Sequence, residues 1–99
     1  VKVFILNNEW MGMVRQWQEL TYESRYSNSY SDALPDFVKL AEAYGWKGIR
    51  IDDVAGLDAG IEAMIAHDGP YVLDVAAPYQ EHVLPMIPGG KTVRDLIKE

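Results

Sequence analysis

Residues 1–18, VKVFILNNEWMGMVRQWQ, decide how the chain is read. Val1, Val3, Phe4, Ile5 and Leu6 form an apolar run that breaks at Asn7-Asn8, turns at Glu9 and re-emerges as a helical pattern. A run without clean alternation predicts a strand covered on both faces, as in a parallel sheet between helix layers. In such sheets ligands sit beyond the carboxyl ends of the strands, where Asn7 and Asn8 stand. Their amides admit two uses. Asn is a common turn residue, because it tolerates left-handed backbone angles and bonds to its own backbone. Fixed at a strand's exposed end, it is also a candidate oxygen ligand for a hard cation such as Mg²⁺, which divides its coordination between one or two protein groups and phosphates.

Downstream, Met13, Val14, Trp17 and Leu20 recur at helical spacing and predict an amphipathic helix over about 11–22, with Arg15, Gln16 and Glu19 on the opposite face. Such a stripe is ordinarily core. Residues 22–33, YESRYSNSYSDA, are polar and aperiodic, and their length suits a cover over a site. Pro35 opens a second helix whose face is Phe37, Leu40, Ala41 and Tyr44, with Gly45 as its C-terminal cap. Residues 48–51 read as a short strand. Asp52 or Asp53 caps a third helix with the face Leu57, Ile61, Met64 and Ile65, ending near Gly69, and residues 71–76 form a buried strand. This order predicts an α/β fold with a three-stranded parallel sheet, right-handed crossovers and flanking helices. In the tail, residues 78–99, the prolines impose an extended path, and Thr92 with Asp95 forms a capping box that predicts a short helix over 93–97.

Composition narrows the classes. A 99-residue chain is one domain at most, and 48% hydrophobic with 24% charged residues is globular rather than disordered. A net charge of −6 supplies no basic face for nucleic acid. The absence of cysteine excludes disulfides and thiolate metal sites, in keeping with a cytoplasmic setting. No run approaches a membrane span. His82 invites a general-base reading, but no carboxylate or nucleophile is linked to it in sequence; His67 reads as a helix-end residue.

VKVFILNNEWMGMVRQWQELTYESRYS, LPDFVKLAEAYGWKGIRI and VLPMIPGGKTVRDLI together resemble the C-terminal thiamine-diphosphate-binding domain of the acetohydroxyacid synthase (acetolactate synthase) catalytic subunit, over almost the whole chain. The resemblance implies the carboxyl-terminal half of a thiamine-diphosphate-binding fold. Asn8 then supplies a side-chain ligand and Trp10 a backbone carbonyl to Mg²⁺, Gly12 allows close approach of the cofactor, and Met13 packs beside it. Met13 and Trp17 line the pocket for the second substrate and for herbicidal inhibitors, the loop is a mobile cover, and the tail folds over the active site. Two family elements lie outside these residues: the Gly-Asp-Gly half of the cofactor motif and the catalytic glutamate. The chain is therefore expected to be a piece of an enzyme, to hold no catalytic residue, to be inactive alone, and to expose an apolar sheet edge that drives association or poor solubility.

The reaction implied is condensation of pyruvate with a second 2-keto acid, giving acetolactate or acetohydroxybutyrate for branched-chain amino-acid synthesis. FAD would bind outside these residues. The family also implies a homodimer or tetramer, with or without a regulatory small subunit. A pyruvate oxidase or carboligase, and a non-catalytic α/β interaction module, are the competing readings.

Overall fold

The computed structural model describes residues 1–98. Strand β1 (Lys2–Asn7) leads into helix α1 (Gly12–Thr21), and a long loop reaches α2 (Phe37–Ala43) and strand β2 (Lys47–Ile51). A 3-10 turn (Val54–Gly56), helix α3 (Leu57–Ala66) and strand β3 (Tyr71–Ala76) follow, and a second 3-10 turn (Val93–Asp95) lies in the tail. The sheet order is β1-β3-β2, all parallel, with Ile5, Asp74 and Arg50 side by side across it.

The crossover from β1 to β2 passes over the position that β3 fills, and the crossover from β2 returns to it. Right-handed connections running in opposite directions place their helices on opposite faces. Accordingly α2 packs on β2 and β3 beside Val72 and Gly48, while α3 packs on the other face. There Met64, Tyr71, Leu73 and Val75 form the core, flanked by Ile49, Ile51, Leu57 and Ile61. Buried apolar area is the main stabilising term, and the central strand carries most of it: β3 is buried from Tyr71 to Val75.

Several expectations are corrected. β1 is an edge strand with alternate exposure, not one covered on both faces, and Leu6 is 72% exposed. The α2 face of Leu40 and Tyr44 is uncovered, as is Ile65 at the end of α3. Together Val3, Ile5, Phe37, Leu40 and Tyr44 line an open apolar groove between β1 and α2. Asp53 caps the 3-10 turn through Gly56 N–H rather than α3 itself. The Thr92–Asp95 capping box is present, but it holds only a 3-10 turn, after which Ile97 bridges back to Met86.

The largest correction concerns α1. This helix stands clear of the sheet, and its buried side is Arg15 and Gln16; Met13, Val14 and Leu20 are exposed. The radius of gyration, 17.1 Å, exceeds the roughly 13 Å of a compact chain of this length. The reason is that α1, the loop and the tail pack on one another beyond the end of the sheet.

Candidate functional site

At the carboxyl end of β1 the chain reverses sharply. Glu9 adopts φ 61°, a left-handed conformation, and is exposed, as expected of a turn residue. Both asparagines make Asx turns: Asn7 Oδ1 accepts Glu9 N–H at 3.2 Å and Asn8 Oδ1 accepts Trp10 N–H at 3.1 Å. Asn8 is nevertheless half-buried rather than packed away. It borders a crevice of about 170 Å³ with Asn7, Trp10, Ser31, Leu34 and Phe37. A carbonyl-type oxygen has two lone pairs, so the turn leaves Asn8 Oδ1 one more acceptor position.

Trp10 is held from both sides. Its backbone bridges Tyr30 through the flanking bonds Met11 N–H to Ser29 carbonyl and Ser31 N–H to Glu9 carbonyl, each 2.8 Å, which leave the Trp10 carbonyl out of the bridge. Its ring stacks on Tyr79 at 5.4 Å and meets Tyr26 and Tyr30 at 5.7 and 5.3 Å. Gly12 opens α1 beside this turn. A Cβ there would meet Asn8 Nδ2 at 3.5 Å, an ordinary contact, so the protein's own packing does not require glycine.

The five site residues predicted from sequence are only partly brought together. Asn8, Trp10 and Gly12 converge at the β1 turn. Met13 is exposed on the adjacent helix turn. Trp17 lines a separate open depression with Val14, Gln18, Tyr22 and Arg25. One crevice bordered by both Asn8 and Trp17 does not form among the described residues.

Sequence reading missed the cluster that fastens this region. The Arg15 guanidinium lies 5.3, 5.1 and 5.0 Å from the rings of Trp10, Tyr26 and Tyr79, and such cation–π contacts strengthen when desolvated. Glu19 pairs with Arg15 at 2.7 Å, accepts Tyr26 O–H at 2.9 Å and lies 3.4 Å from His82 Nε2. The Tyr26 hydroxyl, aided by Arg15 and His82, holds the Glu19 carboxyl below its usual range. Buried Ser29 donates to Gln18 at 2.6 Å, and Gln18 Nε2 donates to Ser27 carbonyl at 2.8 Å. The loop thus wraps back onto α1. The richness of the loop and tail in tyrosine was a compositional signal, but nothing in the spacing revealed that Trp10, Tyr26 and Tyr79 converge on one arginine.

The donor set suits a hard cation. One amide oxygen and one main-chain carbonyl can fill two positions of an oxygen shell, the remainder falling to phosphates, water or other protein groups. No group of three His, Cys, Asp or Glu side chains able to hold a metal is found among the described residues. No helix among them is long and apolar enough to cross a membrane.

Residues 1–75 match the family model described as thiamine pyrophosphate enzyme, C-terminal TPP binding domain. The chain is 46% identical over 97 residues to the mitochondrial acetolactate synthase catalytic subunit of Saccharomyces cerevisiae, covering 98% of this chain and 14% of the relative. It is 40% identical over 104 residues to the chloroplastic acetolactate synthase 1 of Zea mays, covering 98% and 16%. Against the acetolactate synthase large subunit of Cyanidium caldarium it is 44% identical over 93 residues, covering 93% and 16%. The chain spans about a sixth of the length of the curated relatives it matches.

Proposed function

Since the chain belongs to the C-terminal TPP-binding domains of thiamine pyrophosphate enzymes, we propose that it supplies part of the Mg²⁺–diphosphate cradle of an acetolactate synthase. The observation that carries this reading is the β1 turn, where Asn8 borders an open crevice and the Trp10 carbonyl is left outside the bridge to Tyr30. Asn8 Oδ1 and the Trp10 carbonyl would hold Mg²⁺, with Gly12 and Met13 beside the cofactor. The aromatic lock on Trp10 fixes its main chain, so the carbonyl pays little ordering entropy when it takes up a cation.

When bound, thiamine diphosphate supplies the carbanion nucleophile and the electron sink for decarboxylating a 2-keto acid. This chain's residues bind and orient: Asn8 and Trp10 hold the metal, and Trp17 presents a flat apolar wall to the acceptor keto acid. No residue of the chain is assigned a proton transfer, and the chain alone is expected to be inactive. FAD belongs to regions outside these residues, and the full-length enzyme is expected to form a dimer or tetramer. The Asx turn at Asn8 is also what a purely structural loop would contain, and it favours the interaction-module reading as the alternative.

The test is a chimera in which this chain replaces the matching segment of the yeast catalytic subunit. Acetolactate formed from pyruvate, and its absence with the isolated chain, supports the proposal. A folded chimera that binds no thiamine diphosphate would overturn it.

A further inference from the structure

Arg15 is only 7% exposed, yet its guanidinium is incompletely served. Nη1 pairs with Glu19 at 2.7 Å and Nη2 donates to the Tyr26 hydroxyl at 3.4 Å, while Nε is buried without a hydrogen-bond partner among the described residues. A buried charge with an unmade donor is costly, and an apolar side chain would fill the same space without that cost. What the guanidinium adds is a flat cationic face. The Trp10 and Tyr79 rings stack on each other at 22° and lie 5.3 and 5.0 Å from it, with Tyr26 at 5.1 Å.

These contacts bear on one short piece of main chain. Glu9, just before Trp10, is left-handed, and Gly12 opens α1 just after Met11. Trp10 N–H donates to Asn8 Oδ1 at 3.1 Å, and the bridge to Tyr30 uses Met11 N–H and the Glu9 carbonyl. The direction of the Trp10 carbonyl is therefore set by the Met11 N–H bond to Ser29 and by the seat of the indole. Tyr79 reaches that seat from the tail, which the neighbouring Gln16 fastens to α1 at Val83. Helix and tail thus close on the indole together. We propose that Arg15 is a positioning residue for the metal site: with Tyr79 it seats the Trp10 indole and so aims the Trp10 carbonyl. This rests on the reading of that carbonyl as a Mg²⁺ ligand. It also fixes the direction of the effect. By charge alone, removing a cation near Mg²⁺ leaves Mg²⁺ affinity unchanged or raises it, whereas removing a positioning residue lowers it.

The test uses the yeast chimera, with calorimetric affinities for Mg²⁺ and thiamine diphosphate measured beside turnover at saturating cofactor. Arg15→Met keeps the stem and discards the charged face. It should weaken Mg²⁺-dependent cofactor binding by about fivefold, the scale of a desolvated cation–π contact, and leave turnover at saturation within about twofold of the parent chimera. Tyr79→Leu, at a residue 41% exposed, should weaken binding in the same direction, and Tyr79→Phe, which keeps the ring, should not. Unchanged or raised affinity in a folded Arg15→Met chimera, or in Tyr79→Leu if Arg15→Met does not fold, overturns the proposal; a merely structural Arg15 would lower the melting temperature alone. Asn8→Ala in the same chimera separates the two failures. Weakened binding there, with the Arg15 and Tyr79 variants unaffected, removes the positioning role and keeps the cradle; unchanged binding in Asn8→Ala removes the cradle itself.

Discussion

Gln16 reads the backbone of Val83 from both sides: its Oε1 accepts Val83 N–H at 2.7 Å, and its Nε2 donates to the Val83 carbonyl at 3.3 Å. Gln16 is 2% exposed and also reaches Met86 Sδ at 3.3 Å. This one amide therefore docks an extended tail, in which His82, Leu84, Met86 and Pro88 alternate inward, onto a helix. Gln16→Leu keeps the volume and strands two main-chain groups. It should cost about 1–3 kcal/mol and make the tail the first site of limited proteolysis, read by urea denaturation and mass spectrometry.

Arg15 is not interchangeable with lysine in its ring cluster. A guanidinium offers a flat face to three rings, whereas an ammonium is a compact, strongly hydrated point charge. Arg15→Lys should lower stability by about 1–3 kcal/mol and reduce the near-ultraviolet circular dichroism contributed by Trp10. An unchanged aromatic signal would contradict the packing described.

The acid limb of stability should involve Glu19. Its folded-state pKa lies below the ordinary 4.5, chiefly because Tyr26 donates to it, so its contribution is complete above that value and is lost as pH falls through the lowered one. Glu19→Gln should flatten the stability profile below about pH 4.5, as measured by denaturation at several pH values.

Gly48 sits where α2 touches the sheet. A Cβ there would lie 3.3 Å from Val38 Cα, which is backbone, and 3.3 Å from Ala41 Cβ. Gly48→Ala must push the helix outward and should destabilise by about 1–3 kcal/mol; a neutral result would mean that α2 is loosely seated.

Much of this architecture was legible because hydrophobic periodicity reports burial against a sheet. The three strands, α3 with its Leu57, Ile61 and Met64 face, and the Gly45 cap at φ 73° follow from it. The same logic failed at α1, whose partners are an aromatic loop and a backbone tail that demand polar side chains, so Arg15 and Gln16 turn inward. It failed again at β1, where an apolar run marks what the surface suits but not what covers it. For the site, the Asn7-Asn8 break located the turn, whereas the distance from Asn8 to Trp17 depends on how α1 leaves that turn, which no local pattern encodes.

In the proposed function Asn8 grips the metal that holds the cofactor's diphosphate. The most direct test of that grip is the affinity of the yeast chimera for Mg²⁺ and thiamine diphosphate, with and without Asn8→Ala. Both affinities should fall together, by about tenfold or more, equivalent to about 1.4 kcal/mol. Retention of both in a correctly folded variant would contradict the account.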